Sequence, residues 1–236
     1  MPIAPADRTL VLLPGLDGTG LLFRRFRRAL APNIASIVVS YPGDRAIDYA
    51  GLEAVARGFL PKQTPFVLLA ESFSGPIALA IAAAPPANLK GLILTCAFAR
   101  NPRPGLRRLQ AFVPLLPIGW VPTALLAWPS LGRFATPSLK LELADALARV
   151  SPGVLSQRLC AVLGIDQSTR LGQVTVPVLY LRASEDRLVP RAASALLAAM
   201  PQIRFVELEG PHFLLQARPL AVASEVDAFL REIAGP

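Results

Sequence analysis

Short runs of apolar residues alternate along this chain with longer segments in which apolar residues recur every three or four positions. The short runs predict β-strands at 9–13, 37–39, 66–69, 92–94, 177–181 and 203–208. The longer segments predict helices at 20–30, 48–60, 76–84, 191–200 and 220–233. Alternating strands and helices are typical of βαβ units, and uninterrupted apolar strands indicate burial on both faces. The pattern therefore predicts an α/β fold with a mostly parallel sheet of about six strands flanked by helices.

The alternation is interrupted between residues 97 and 172. This segment is rich in proline, and its clearest helical period covers 139–150. The strand pattern returns afterwards, so we interpret the segment as a helical cap inserted into a single sheet. The predicted core comprises residues 1–96 and 173–236, and the predicted cap comprises residues 97–172.

One stretch of the predicted cap, between Arg108 and Arg133, carries no charged residue and is long enough to span a bilayer. It contains four prolines and two glycines. Each internal proline removes a helix hydrogen bond that hydrocarbon cannot replace. We therefore expect an apolar lid here rather than a membrane-spanning helix.

The composition is that of a packed globular protein, with 53% hydrophobic and 17% charged residues among 236. The net charge of +8 comes mainly from arginine, with one local cluster at 24–28. No motif typical of nucleic-acid-binding domains accompanies that cluster, so a solvated helix face explains it and no nucleic-acid partner is expected. Two cysteines do not make a disulfide framework in a chain of this length. The N-terminal residues lack a signal-peptide pattern, so the expected location is the cytoplasm.

The strongest chemical signal lies where the strand at 66–69 passes into the next helix. There a serine, Ser72, stands between small residues in the sequence Ala-Glu-Ser-Phe-Ser-Gly. This is the pattern of a nucleophile elbow, in which a tight turn lifts the hydroxyl above the sheet beside a helix N-terminus. Ser74 is the weaker alternative, because a small residue would then be needed at Pro76. The other interpretation is an ordinary serine-rich turn.

The only histidine, His212, follows the last predicted strand directly. Open α/β sheets place their ligands at the carboxyl ends of the strands, which is where a catalytic base would be required. Although a lone histidine is more often structural, this position favours a general base.

A carboxylate to orient that histidine is expected after the preceding strand. Asp186 occupies this place, and it could accept a hydrogen bond from the imidazole and stabilise the imidazolium. Glu185 is the competing candidate, and Asp186 could instead cap a helix. The order serine, aspartate, histidine is the one expected of this type of site.

Acyl transfer also requires donors for a developing oxyanion. The backbone N–H of Phe73, next to the serine, is one candidate. The N–H of Leu16, in the glycine-rich loop 14–20 after the first strand, is the other. Glycine-rich loops also bind phosphate, but the Gly-Lys-Ser/Thr ending of such loops is missing here.

Four segments together resemble the α/β-hydrolase superfamily: Pro-Gly-Leu-Asp-Gly-Thr-Gly, Glu-Ser-Phe-Ser-Gly, Ser-Glu-Asp-Arg-Leu-Val-Pro and Gly-Pro-His-Phe. The resemblance covers 8–96 and 173–233 and implies a minimal α/β-hydrolase fold with a helical cap insertion. The first segment resembles small bacterial hydrolases and phytyl ester synthases, and Pro14 stands where other members have histidine. The resemblance implies a Ser72, His212 and Asp186 triad, and the chemistry of such a triad needs no cofactor or metal.

The apolar stretch of the predicted cap suggests a substrate with an apolar group. Trp120, Trp128 and Phe213 are the residues predicted to line its pocket. Packing of the cap onto the core would need the same residues. Peripheral contact with a lipid surface is a third interpretation, since Arg103, Arg107 and Arg108 flank the stretch.

The sequence therefore predicts a serine hydrolase that cleaves carboxylic esters through an acyl-enzyme. A thioesterase or acyltransferase that uses acyl-CoA or acyl-carrier substrates would employ the same site. A non-catalytic protein that binds apolar ligands is the third hypothesis. Neither the particular ester nor the oligomeric state follows from the sequence.

Overall fold

The computed structural model describes residues 8–115, 123–200 and 202–234. Within these ranges six parallel strands form one sheet in the order β2-β1-β3-β4-β5-β6. The strands are β1 Arg8–Leu13, β2 Ile34–Val38, β3 Phe66–Glu71, β4 Leu89–Thr95, β5 Val178–Glu185 and β6 Ile203–Pro211. The prediction of a parallel sheet of about six strands, flanked by helices, is confirmed.

The helices of the described residues lie on both faces of this sheet and in the segment between β4 and β5. They are α1 Arg24–Ala29, α2 Tyr49–Gly58, α3 Gly75–Ala83, α4 Thr123–Leu131, α5 Pro137–Ala148, α6 Pro152–Gly164, α7 Arg191–Ala195, α8 Leu214–Ala217 and α9 Pro219–Ala234. Short 3₁₀ helices include Ser72–Ser74, Pro104–Leu115 and Ser168–Gln173.

Apolar side chains cover both faces of the sheet. Every residue of β3 is buried, and its side chains alternate between two hydrophobic clusters. One cluster includes residues of α2 and α3, and the other includes residues of α1, α8 and α9. Because a buried parallel strand must be apolar on both sides, the continuous apolar runs predicted these central strands well.

The strand order reverses between β1 and β3, the point at which open α/β sheets form a crevice. The chain leaves β1 toward the β2 edge, and it leaves β3 toward the β4 edge. The loop that follows β1 and the turn that follows β3 therefore flank one crevice at the carboxyl ends of the strands.

Interior and edge strands both extend beyond their predicted bounds. In the interior, β4 begins at Leu89 rather than at residue 92, and β5 continues to Glu185 rather than ending at 181. β2 begins at Ile34 rather than at residue 37, and β6 continues to Pro211 rather than ending at 208. Edge strands have partly exposed faces and tolerate polar residues, so their apolar runs are shorter than their hydrogen-bonded length. The predicted helix at 191–200 ends as an α-helix at Ala195 and is followed by a short 3₁₀ helix.

The segment between β4 and β5 is helical. The predicted helix at 139–150 corresponds to α5, whose first turn is capped by the Thr136 hydroxyl. α6 was not predicted, although Ser151 and Pro152 form a typical start signal there. The division into a core and a cap stays a prediction. None of the helices in the described ranges has the length and apolar character needed to cross a membrane.

Candidate active site

The turn after β3 presents Ser72 on a strained backbone. Ser72 has a φ of 47°, a value that non-glycine residues rarely adopt and that costs roughly 1–3 kcal/mol. The turn enters a short 3₁₀ helix and then α3. A Cβ atom at Gly75 would lie 2.8 Å from the Ala97 Cβ and 2.9 Å from the Phe98 carbonyl oxygen. Close packing therefore requires glycine three residues after the serine, whereas Ala70 and Ser74 can replace glycine.

Three side chains from separate strand ends converge at this turn. The Nε2 atom of His212 lies 2.8 Å from the Ser72 Oγ. The Nδ1 atom lies 2.9 and 2.8 Å from the two carboxylate oxygens of Asp186. The structure thus brings together the three residues that the sequence identified as a candidate triad.

Asp186, not Glu185, faces the imidazole. The Asp186 Oδ1 also accepts hydrogen bonds from the N–H groups of Leu188 and Val189, at 2.9 and 2.8 Å. Glu185 instead accepts from the Arg133 side chain at 2.8 Å. Both alternatives considered for Asp186 therefore apply, since it caps the following turn and holds the histidine.

At a pH above the pKa of His212, the charges at this site favour a neutral imidazole that is hydrogen-bonded to an ionised Asp186. Burial acts to raise the pKa of Asp186, but the attraction and hydrogen bonds of His212 and two backbone N–H groups lower it below its usual value. Burial acts to lower the pKa of His212, but Asp186 outweighs this and raises it above 6.5. With Nδ1–H donating to the carboxylate, Nε2 is free to accept the hydroxyl proton of Ser72.

Ser74 serves the scaffold. It is fully buried, and its hydroxyl donates to the Pro14 carbonyl oxygen at 2.5 Å. It also shares a hydrogen bond with the Tyr41 hydroxyl at 2.9 Å. Ser74 therefore joins the serine turn to the loop after β1 and has no free hydroxyl for attack.

Arg158, on α6, contacts the loop after β1 and was missed by the sequence reasoning. Its side chain is 3% exposed, and it donates to the carbonyl oxygens of Leu16 at 2.9 Å, Asp17 at 2.7 Å and Pro42 at 2.9 Å. Gly18 has a φ of 71°, and a Cβ there would lie 2.5 Å from the guanidinium. The helical spacing could have revealed Arg158, since it shares a buried face with residues three and four positions earlier.

The other carbonyl groups of this loop also have donors. Gly15 O accepts from Gly18 N–H at 3.0 Å, and Gly18 O accepts from Tyr41 N–H at 2.7 Å. The Asp17 carboxylate is buried and accepts from the N–H and hydroxyl of Thr19. The loop is consequently held at every peptide from residue 14 to residue 18.

Leu16 and Phe73, the predicted oxyanion donors, lie after neighbouring strands of the sheet. Leu16 is half-buried in the loop after β1, and Phe73 is buried beside Ser72. The Phe73 carbonyl accepts a hydrogen bond from the Tyr49 hydroxyl at 3.2 Å. Donation to an oxyanion by the two N–H groups stays a prediction.

A second buried carboxyl, Glu71, precedes the serine and was also missed. It is 3% exposed, and its Oε1 accepts a hydrogen bond from Gln216 at 2.9 Å. Burial raises its pKa to about 7, although the Gln216 hydrogen bond opposes that rise. Nearby Asp17 raises it further, whereas His212 lowers it. The sequence could have singled out Glu71, because it is the charged residue in a strand whose other residues are apolar.

One group in the described part of the chain has the residue types of a metal site. A Cys96 sulfur, an Asp186 oxygen and a His212 nitrogen lie within 4.8 Å of one another. Both imidazole nitrogens are already hydrogen-bonded, and burial raises the pKa of the Cys96 thiol, which disfavours the thiolate that binds metals. The donor set therefore fits a serine–histidine–aspartate arrangement better than a metal.

The predicted pocket residues lie in different environments. Trp128 is 64% exposed, with the Arg187 guanidinium 4.4 Å from its ring centre. Phe213 packs against a cluster formed by residues of α4 and α5, and its ring centre lies 6.1 Å from that of His212. Trp120 lies outside the described residues. Their roles in a pocket stay predictions.

The fold and the site together define a class of protein. The sequence model of the alpha/beta hydrolase family matches residues 10–225, most of the chain. This protein therefore belongs to the alpha/beta hydrolase family, as the resemblance of its four segments implied. No curated protein matches the chain by sequence.

Solved structures of other proteins share this fold at low sequence identity. A lipase-esterase related protein from Clostridium acetobutylicum has a TM-score of 0.80 at 18% identity, covering 95% of each chain. A thermophilic esterase from Thermogutta terrifontis has a TM-score of 0.79 at 19% identity, covering 97% of this chain and 90% of that one. A bacterial membrane phospholipase A has a TM-score of 0.78 at 18% identity, covering 98% of this chain and 80% of that one. At such identities the likeness establishes the fold alone.

Proposed function

We propose that this protein is a serine hydrolase that cleaves carboxylic esters carrying an apolar acyl or alcohol group. The observation that carries the proposal is the continuous set of hydrogen bonds from Ser72 through His212 to Asp186. Such a chain allows the imidazole to accept a proton at one nitrogen while the carboxylate stabilises the resulting charge at the other.

In the first half of the reaction, the Ser72 oxygen attacks the ester carbonyl carbon as His212 Nε2 takes the hydroxyl proton. The N–H groups of Leu16 and Phe73 donate to the resulting oxyanion. The tetrahedral intermediate then collapses, and the carbon–oxygen bond to the alcohol breaks. His212 gives its proton to the departing alcohol, which leaves the acyl group on Ser72.

In the second half, water attacks the acyl-enzyme carbonyl while His212 takes one of its protons. Collapse of the second tetrahedral intermediate breaks the bond to Ser72, and His212 returns the proton to the serine oxygen. The products are the carboxylic acid and the free enzyme, so each proton that the imidazole takes up is returned.

The proposed substrate class rests on the apolar character of the segment between β4 and β5. Each methylene group moved out of water contributes about 0.8 kcal/mol to binding, so an apolar lining favours esters with hydrocarbon groups. Structural neighbours that are named as an esterase, a lipase-esterase related protein and a phospholipase A are consistent with this class.

The test is hydrolysis of p-nitrophenyl acyl esters of increasing chain length by wild type, Ser72→Ala and Ser74→Ala. We expect wild-type turnover, which Ser72→Ala abolishes. Ser74→Ala should retain the same chemistry at a reduced rate, because it loses only a scaffold contact. Unchanged hydrolysis by Ser72→Ala would reject the proposal.

A thioesterase or acyltransferase is the second candidate, favoured by the net charge of +8, which would attract phosphorylated acyl carriers. Acyl-CoA substrates run beside the p-nitrophenyl series separate the two activities. A kcat/KM for acyl-CoA well above that for every simple ester would select this candidate, and it would retain the same three residues.

A further inference from the structure

The 3₁₀ helix Pro104–Leu115 carries a row of exposed apolar side chains. Leu106, Leu109 and Phe112 are 43%, 51% and 59% exposed. They are spaced three residues apart, and a 3₁₀ helix has three residues per turn, so they form one line along its outer face. Single exposed apolar residues are ordinary, but an aligned row marks a surface that contacts another phase or molecule.

The inner side of the same helix is fixed to α6. Gln110 donates a hydrogen bond to the Cys160 carbonyl at 2.9 Å, and the buried Val113 accepts one from the Ser156 hydroxyl at 3.2 Å. The orientation of the helix is therefore determined by its inner contacts, and the apolar row faces outward.

The charged residues in the sequence around this row are all basic. Asp166, whose pKa is lowered by hydrogen bonds with Ser168 and by the charges of Arg100 and Arg107, is an acidic residue near its inner end. The sequence from Ser72 to Leu141 contains no aspartate or glutamate, whereas it contains seven lysines and arginines. Arg107 and Arg108 lie on the helix itself and are exposed. Arg103, at its start, donates a hydrogen bond to the Arg187 carbonyl, and the Arg187 guanidinium lies over the exposed Trp128 ring.

We infer that this face, formed by Leu106, Leu109, Phe112 and the flanking arginines, docks on the surface of an anionic lipid bilayer. The apolar row enters the boundary between headgroups and acyl chains, while the arginines contact lipid phosphates. The exposed arginines outnumber the acidic residue near them, Asp166, so a second copy of the same face would meet a net like charge. The inference deepens the proposed function by giving the place where the enzyme meets an apolar ester, but the binding itself needs no catalysis.

The experiment measures co-sedimentation of the full-length Ser72→Ala chain with vesicles of ether-linked lipids, which contain no ester to cleave. Phosphatidylcholine vesicles with and without phosphatidylglycerol are compared. We expect binding to the anionic vesicles that weakens as salt is added. Leu106→Ser/Leu109→Ser/Phe112→Ser should bind at least about tenfold more weakly, and Arg107→Gln/Arg108→Gln roughly thirtyfold more weakly.

The chain offers matched controls for both changes. Leu141→Ser/Leu220→Ser replaces leucines that are 71% and 75% exposed elsewhere. Arg27→Gln/Arg28→Gln removes another adjacent exposed arginine pair. Equal loss in these controls, or no binding to anionic vesicles, would overturn the inference. Hydrolysis of a soluble p-nitrophenyl ester by the same surface variants with Ser72 intact is measured separately, so failure of docking is distinguishable from failure of the proposed function.

A second inference comes from Arg158 and rests on the proposed function. The geometry points to Arg158 as a positioning residue for the loop that bears the Leu16 N–H. In a trans peptide the N–H points opposite to the carbonyl of the preceding residue. The Gly15 carbonyl is directed into its own turn by the Gly18 N–H, so the Leu16 N–H is directed out of that turn.

Arg158 fixes the next two peptides by donating to the carbonyls of Leu16 and Asp17. A rotation of either peptide would leave a buried carbonyl and part of a buried guanidinium without partners, which is costly. The arginine belongs to α6, so it ties the segment between β4 and β5 to the proposed oxyanion loop. Its contribution is to hold the donor in place without touching the substrate.

The test compares Arg158→Met and Arg158→Lys by kcat and KM on a p-nitrophenyl ester, beside unfolding in urea. We expect kcat to fall roughly 10–100-fold for Arg158→Met, less than for loss of an oxyanion donor, with KM little changed. Arg158→Lys should recover part of kcat, because its ammonium can donate to one of the carbonyls. Arg149→Met, at an arginine whose side chain is 60% exposed, is the control.

A change confined to KM, or an unchanged kcat in folded Arg158→Met, would overturn this role. If Arg158→Met does not fold, Arg158→Lys is measured instead: a reduced kcat supports the role, and an unchanged kcat overturns it. Activity that survives in Ser72→Ala would instead reject the proposed function. Failure of the Arg158 role is therefore distinguishable from failure of the proposed function.

Discussion

Two regions beside the same helix, α6, differ in whether their groups have partners inside the chain or face the solvent. In the loop after β1, each carbonyl from residue 14 to residue 18 accepts a hydrogen bond, and a buried arginine of α6 supplies two of them. On the other side of α6, the 3₁₀ helix Pro104–Leu115 exposes its apolar row to solvent. One region is closed by internal contacts, which the proposed oxyanion loop would require, and the other exposes the apolar row that we propose docks on a bilayer.

The largest effect is expected from Asp186→Asn. This change removes the charge that orients the imidazole and stabilises its protonated form, so kcat should fall roughly 10⁴-fold. Glu185→Gln is the matched control in the adjacent residue, since its carboxylate pairs with an Arg133 side chain that is 62% exposed. Steady-state hydrolysis of a p-nitrophenyl ester measures both. Similar losses in the two variants would contradict the assignment of Asp186.

Glu71→Gln is expected to change how stability depends on pH. A rise in the pKa of the Glu71 carboxyl from 4.5 to about 7 corresponds to a cost on the order of 3 kcal/mol. The folded chain holds the proton of the Glu71 carboxyl more tightly than the unfolded chain does, so this group contributes to stability at low pH. The stabilising contribution is complete below pH 4.5 and is lost as the pH rises through about 7.

Urea unfolding of wild type and Glu71→Gln from pH 5 to pH 8 measures this effect. The variant, which has no carboxyl to ionise there, should gain free energy of unfolding relative to wild type as the pH rises. Parallel profiles would show that Glu71 titrates normally. In the same variant, the acid limb of kcat/KM should move to lower pH, because Glu71 contributes to the raised pKa of His212.

Gly75→Ala tests the close packing beneath the serine turn. The added methyl would lie within 3 Å of Ala97 and Phe98, so the free energy of unfolding should fall by roughly 1–3 kcal/mol. Gly58→Ala is the control, since nothing lies within 4 Å of its added Cβ, and it should be neutral or slightly stabilising. Urea unfolding compares the two, and equal stability would contradict the packing argument.

The smallest effect on stability is expected on the outer row. Leu106→Ser should change the free energy of unfolding by less than about 0.5 kcal/mol, because the side chain is 43% exposed. A loss of several kcal/mol in urea unfolding would mean that the row is buried in the folded chain. The contrast between the hydrogen-bonded loop after β1 and the exposed row of the 3₁₀ helix would then be wrong.

The sequence predicted the central strands and the candidate triad because both depend on local patterns. A strand buried on two faces must be apolar throughout, and a serine between small residues at its end is recognisable without the fold. The start of β2 was predicted too late because Ala35 and Ser36, on an edge strand, interrupt its apolar run.

The roles of Arg158 and Glu71 could not be derived in the same way. Each depends on a partner more than a hundred positions away, the loop carbonyls for Arg158 and Gln216 for Glu71. The spacing of α6 could have placed Arg158 on a buried face, and the apolar strand could have singled out Glu71, but only the folded chain supplies their partners. Long-range polar contacts of this kind carry no local signature.

The most direct test is mass spectrometry of the intact and digested protein after reaction with a fluorophosphonate probe. A reactive hydroxyl activated by the imidazole predicts a single adduct on Ser72 in the wild type, and its near-complete loss in His212→Ala. An adduct on Ser74, or equal labelling of Ser72 with and without the histidine, would contradict the assignment of these residues to one catalytic unit.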